Sequence, residues 1–152
     1  MIKPVSIDNG GYRKFGWIDP TTKKIHNGHD YNVPVGTSVK SICDGEVVFN
    51  GEINGFGSFN PNTKGGVIIL KHQIRDKIFY SLYGHISRIE TLKLGRQVKE
   101  GDIIGYVNKY TSSGVPCSHL HFCIWYDKSY PPVPYGYVNK LVFWVNPLEF
   151  LK

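Results

Sequence analysis

The chain has 152 residues, little sulfur, few acids and no long apolar run, and each shortage narrows what it can be. Three cysteines, Cys43, Cys117 and Cys123, cannot all pair within one chain, which excludes a disulfide framework as the main source of stability. A membrane-spanning helix needs roughly 20 apolar residues. Here Val67-Ile68-Ile69-Leu70 is closed by Lys71, and Leu141-Val142-Phe143-Trp144-Val145 by Asn146-Pro147. Residues 1–8 hold neither an apolar core nor a small-residue cleavage site, so no secretory signal is read there. Asp and Glu number 12 against 18 Lys and Arg, a net charge of +6 that favours polyanionic surroundings. The basic residues are scattered, with Lys23-Lys24 the longest run, so they form no nucleic-acid stripe.

What is present is a turn-rich, aromatic chain. Hydrophobic residues make up 41% and aromatics 14%, enough for one core and too much for a disordered chain. One domain over 1–152 is expected, its motif-bearing core at about 10–150. Glycine, Asn-Gly and Asp-Pro signals recur at short spacing between β-branched and aromatic runs, which predicts a mainly β fold with an antiparallel sheet core and little helix. Strands are expected near 38–42, 46–51, 67–72, 78–83, 102–107 and 119–126. A short helix is expected at Asn146-Pro147, an Asn cap followed by Pro at the first helical position. The stretches 54–66 and 129–139, the second holding Pro131, Pro132 and Pro134, read as loops bordering a groove.

Three histidine clusters carry the chemistry. In a strand, alternate side chains share a face, so His119, His121, Cys123 and Trp125 oppose the apolar set Leu120, Phe122, Ile124 and Tyr126. His26 and Asp30, four apart in His26-Asn27-Gly28-His29-Asp30, also share a face, with Gly28 leaving space between them; His29 faces away, towards the surface. Two imidazoles and a carboxylate make a three-ligand set with a fourth position for water. His85, after Tyr83-Gly84, sits in a turn from which it could act on that water or on a developing oxyanion. No His-Glu-x-x-His helix motif occurs. His72 reads as a hydrogen-bonded or solvated residue at a strand end. Trp125, Tyr126, Tyr130 and Tyr135 could wall a cleft, while Trp17 and Trp144 suit the core or its edge.

In this order the motifs resemble those of the lysostaphin-type zinc metallopeptidases, the M23 or LytM-like peptidoglycan endopeptidases. The matching elements are His26-Asn27-Gly28-His29-Asp30, Tyr83-Gly84-His85 and His119-Leu120-His121-Phe122, with Gly11-Tyr12-Arg13 before and Asn146-Pro147-Leu148 after them. The resemblance implies an antiparallel sheet whose loops wall a narrow groove, and one Zn2+ per chain held by His26, Asp30 and His121. His119 and His85 would be the catalytic pair, and their two roles can be exchanged. The implied function is hydrolysis of peptide cross-links or stem peptides of bacterial peptidoglycan by a zinc-activated water. The implied place of action is the cell envelope, periplasmic or extracellular, for a monomeric remodelling enzyme, bacteriolysin or phage lysin with no nucleic-acid partner. The glycyl-glycine and the D-Ala to diamino acid bond are both open. Two departures stand out, because the family has Gly-Pro before the last motif and Glu after it, where this chain has Cys117-Ser118 and Cys123. A thiolate-containing zinc site is therefore an alternative. So is a catalytically silent wall-binding or hydrolase-activating member of the fold. A biotinyl or lipoyl carrier, suggested by 98–107, has no use for three histidine motifs.

The net charge of +6 should add a weak attraction to anionic wall polymers. Binding to isolated walls, measured by pull-down across a salt series, is expected to fall as salt rises, and salt-independent binding would remove the electrostatic part.

Overall fold

The computed structural model describes residues 1–133 and 135–152; Pro134, assigned above to a loop, lies outside the described residues. The elements in chain order are β1 (Ile25–His26), β2 (His29–Tyr31), β3 (Ser38–Lys40), β4 (Gly45–Asn54), β5 (Lys64–Ile74), β6 (Lys77–Arg88) and β7 (Gln97–Val98). They continue as β8 (Ile103–Val107), β9 (Thr111–Ser112), β10 (Val115–Pro116), β11 (Leu120–Trp125), β12 (Tyr137–Val138), β13 (Trp144–Val145) and α1 (Pro147–Phe150). One antiparallel sheet carries the path β13-β11-β6-β5-β4-β7, with β2 added to β11 and the β3–β8 pair added to β6. Among the described residues helix is confined to α1, where the Asn146 side chain accepts the Leu148 N–H at 3.1 Å and Pro147 fills a first-turn position whose missing N–H costs nothing.

The unbroken apolar run of β5 follows from burial on both sides of the sheet. Ile68 and Leu70 enter one cluster with Tyr31, Phe79, Tyr83, Leu120 and Phe122. Val67 and Ile69 enter a second with Leu82, Cys123, Trp125 and Trp144. β11 alternates between the same two clusters, so its His119-bearing face is more enclosed than strand parity alone suggests.

The short strands β1, β2, β7, β9, β10, β12 and β13 have no counterpart in the sequence reading, β12 falls within the 129–139 stretch assigned to a loop because it pairs with β1, and two boundaries near the histidines shift as well. The β4–β5 ladder reaches the pair Asn54↔Lys64, so the expected 54–66 loop shrinks to 55–63. Gly65 and Gly66 look like turn residues but lie in the ladder, because a Cβ at either would run into the carbonyl of Phe56 or Ile86. β6 also passes through His85 to Arg88, where a turn was expected. Gly66 pairs with Ile86 and Val67 with Gly84, so His85 is an unpaired bulge residue, held at φ +59°.

At the opposite flank His72 is fully buried, its Nδ1 2.8 Å from the Asp44 carbonyl and 3.2 Å from Cys43 Sγ, its Nε2 2.6 Å from Ser81 Oγ. Ser81 Oγ lies 3.0 Å from the Tyr83 hydroxyl. Burial pushes the His72 imidazole down to about 4, more than offsetting the Asp44 carbonyl, and pushes the Cys43 thiol up to about 11. A histidine whose folded value lies below its unfolded value near 6.5 binds its proton preferentially in the unfolded chain. Stability is therefore expected to fall as pH drops from about 6.5 to 4, by about 3 kcal/mol from this one group. Urea unfolding of the protein and of His72→Gln across that range should differ in slope; equal slopes would show that His72 carries none of the loss.

Candidate metal centre

The register of three strands assembles the centre. β11 sets His121 opposite Asp30 of β2 on one side and opposite Gly84 of β6 on the other. His26 ends β1, which pairs with β12 at Tyr137. His119 precedes β11 by one residue, and the bulge aims His85 at it, with ring centroids 4.6 Å apart. His26, Asp30, His85, His119 and His121 are all buried, and all five line one cleft of about 440 Å³.

Each of the four imidazoles has one nitrogen within hydrogen-bond distance of a backbone carbonyl. His26 Nδ1 gives its proton to Lys14 O (3.1 Å), His85 Nδ1 to Phe56 O (2.7 Å), His119 Nδ1 to Cys117 O (2.7 Å) and His121 Nε2 to Tyr135 O (3.0 Å). This pattern assigns the tautomers and leaves the other nitrogen of every ring as an acceptor. His26 Nε2 and His121 Nδ1 stand 3.0 Å apart and lie 3.1 and 2.8 Å from Asp30 Oδ1. His119 Nε2 is 3.7 Å from Asp30 Oδ2. Three acceptor atoms this close repel unless a proton or a cation stands among them. Tetrahedral ligands at 2.0–2.1 Å from a zinc ion are about 3.3 Å apart, close to the separations here, and the backbone carbonyls behind both rings are the usual outer partners of metal-bound histidine. His26, Asp30 and His121 therefore fit a divalent cation.

Burial raises the Asp30 carboxyl, but the His121 and His26 rings packed against it outweigh that effect and hold the group well below the usual carboxylate range. Burial also keeps His85 well below the ordinary imidazole value, helped by the charges of His119 and His121. It lowers His119 too, against the opposing pull of Asp30. Both rings outside the three-ligand set are thus neutral proton acceptors near pH 7.

The family model for peptidase family M23 matches residues 24–132, a stretch that contains all five of these residues. The chain belongs to peptidase family M23. It is 36% identical over 97 residues to the glycyl-glycine endopeptidase ALE-1 of Staphylococcus capitis, covering 64% of this chain and 24% of that protein. Identity to the peptidoglycan DD-endopeptidase ShyA of Vibrio cholerae is 30% over 107 residues, covering 69% and 22%. The fold superposes on the catalytic domain of lysostaphin from Staphylococcus simulans with a TM-score of 0.67 at 25% identity, covering 93% of this chain and 91% of that one. The chain spans about a fifth to a quarter of the length of these curated relatives.

Other residues of this M23 chain fall where the sequence did not put them. Gly28 leaves no room for an ion; a Cβ there would stand 2.6 Å from Phe122 O, 2.8 Å from Cys123 Sγ and 2.9 Å from His121 Cε1, so the glycine lets β11 pass behind the loop. His29, expected at the surface, is buried, and its Nε2 meets Asp8 Oδ2 at 3.2 Å. Cys123 Sγ lies 2.8 Å from His121 Nε2, the nitrogen turned away from Asp30, so it backs the imidazole rather than joining the donor set. Burial pushes its thiol well above the ordinary value, which further disfavours a thiolate. Cys117 lines the cleft without joining the donor set and orients His119 through its carbonyl. Of the aromatics expected in the cleft only Tyr135 lines it; Trp125 is in the core and Tyr126 and Tyr130 are exposed. The walls come instead from Tyr12, Phe56, Phe59, Tyr110 and Tyr137, whose isolated positions in loops and strand ends give no periodic signal.

Gly28→Ala should destabilise the fold by about 1–3 kcal/mol, since backbone and core atoms rather than a flexible tip meet the added methyl. The check is the midpoint of chemical denaturation, and an unchanged midpoint would refute the close approach.

Proposed function

We propose that this chain is a zinc-dependent endopeptidase that hydrolyses peptide cross-links or stem peptides of bacterial peptidoglycan, acting at the cell wall in the periplasm or outside the cell. The observation that carries this reading is the convergence of four acceptor imidazole nitrogens and Asp30 in one cleft. Support also comes from ALE-1 and ShyA, whose names give a glycyl-glycine and a peptidoglycan endopeptidase. Among the described residues no helix is long and apolar enough to cross a membrane.

His26 Nε2, Asp30 Oδ1 and His121 Nδ1 would hold the ion. Bound there, zinc would supply Lewis-acid chemistry, bringing the pKa of a water towards about 7 and polarising the scissile carbonyl. His119 Nε2 accepts the proton of the attacking water, because its Nδ1–H is committed to Cys117 O and burial keeps the ring neutral. From the same atom the proton passes to the leaving amine. His85 Nε2, in the matching tautomer beside His119, accepts a hydrogen bond from the attacking water and helps to orient it. Since both rings present the same acceptor, the two roles can be exchanged. Phe56 and Tyr110 cover His85, with centroids 5.0 and 4.2 Å away, and keep bulk water from it.

Zinc-loaded protein incubated with purified sacculi, one glycyl-bridged and one directly cross-linked, should release peptide fragments identifiable by mass spectrometry. Removing the metal with a chelator should abolish release, and His119→Ala should lower it about 100-fold or more. Asp30→Ala should lose the bound zinc that elemental analysis finds in the unmodified chain. Intact sacculi of both kinds with zinc bound would overturn the endopeptidase reading in favour of a binding or activating role.

A further inference from the structure

The cleft beside the histidines is short of negative charge. Among its described lining residues the cations are Arg13 and Lys24, and the one carboxylate, Asp30, is already engaged by His26 and His121. Neither cation has a carboxylate partner among the described residues, although the chain forms ion pairs elsewhere, such as Lys99–Asp44 at 2.9 Å. Arg13 is also the more fixed of the two. Its guanidinium lies over the Trp17 ring at 4.5 Å, with Tyr12, Tyr137 and Phe59 at 5.3, 5.8 and 5.9 Å, and one nitrogen donates to the Tyr137 hydroxyl. The backbone beneath it is tied to Asp30, since Tyr12 N–H donates to Asp30 O and Asp30 N–H to Arg13 O, both at 2.9 Å. Gly11 permits this approach, because a side chain there would strike the His29 ring.

A planar cation stacked on an aromatic face, with donors left over and no acid to receive them, suits a planar, bidentate acceptor. Its distance from the chemistry is short. Tyr12 lies between Arg13 and His119, with its ring 5.5 Å from the imidazole, and Tyr137 lies between Arg13 and His26, 5.2 Å from that ring. The guanidinium therefore stands within about three residues of the reacting bond, at roughly 3.5 Å per extended residue.

We propose that Arg13 is the receptor for a free carboxylate of the substrate peptide, so that the cleft selects acidic peptides, carrying a carboxylate within about three residues of the cleaved bond, over neutral oligoglycine. This rests on the endopeptidase reading and deepens it by naming the substrate class. Arg13 would bind and orient the substrate without taking part in proton transfer.

The test uses two soluble wall-type peptides that differ only in having the free carboxylates intact or converted to carboxamides, with an oligoglycine peptide alongside. For the zinc-loaded protein, kcat/KM is expected to fall roughly ten- to a hundredfold on amidation, the range of one charge-assisted pair. Arg13→Gln should bring the ratio between the two peptides close to one, whereas Arg13→Lys, which keeps the charge but not the fork, should retain part of it. A merely structural role would lower both rates in Arg13→Gln and leave the ratio standing, and that outcome would overturn the proposal. So would equal rates for both peptides in the unmodified protein, with the endopeptidase reading intact. Hydrolysis of none of the peptides would instead count against that reading. Titration of the same pair by NMR then decides the role of Arg13, equal affinities refuting it and a preference for the carboxylate that Arg13→Gln loses supporting it.

Discussion

Four backbone carbonyls, those of Lys14, Phe56, Cys117 and Tyr135, set the direction of every imidazole acceptor in the centre. They belong to four separated segments of chain, so the sheet and its loops must all close before the free nitrogens face one another. Donating one ring proton to a carbonyl satisfies half of each buried imidazole and leaves the other half lone-pair bearing towards the cleft. The apolar clusters on either side of β11 hold this repulsive arrangement in place. A cation among His26, Asp30 and His121 would relieve it, so that metal binding and the integrity of the cleft would be two aspects of one balance.

Much of this was legible from residue order. Strand parity at His119 and His121, and the four-residue step from His26 to Asp30, depend only on local geometry, and β11 and the short helix α1 follow the sequence reading, whereas the strand β2 that carries Asp30 was not read from it. The resemblance of the ordered motifs to M23 peptidases is met by the family match over 24–132 and by the antiparallel sheet. What escaped depends on contacts between distant segments. Gly28, Gly65 and Gly66 read as turn formers or spacers, and only the chain passing behind each one shows the crowding they relieve. The burial of His29 involves Asp8, twenty-one residues earlier, and Arg13 acquires meaning only from Trp17, Tyr137 and the lack of a carboxylate paired with it among the described residues.

The floor and the walls of the cleft obey different constraints. The floor is sheet, where the pairs His121↔Asp30 and His121↔Gly84 leave no freedom of register. The walls draw on 12–13, 55–61, 110–117, 133 and 135–137, mostly connecting segments whose side chains lean over the histidines without sharing their ladder bonds. In the proposed activity, chemistry and selection of the substrate would be carried by different parts of the backbone, joined where Arg13 O accepts the Asp30 N–H.

The bulge at His85 bears on how the chain tolerates change in length. On either side of it the alternation of β6 is out of phase, with Gly84 facing Val67 and Ile86 facing Gly66. Deleting one residue there would restore a regular ladder, an improvement for the sheet, while turning the imidazole away from His119. Gains and losses of single residues should accumulate in 55–63, where they only reshape a wall, and be purged from the few positions around His85, where better pairing would come with a dismantled centre.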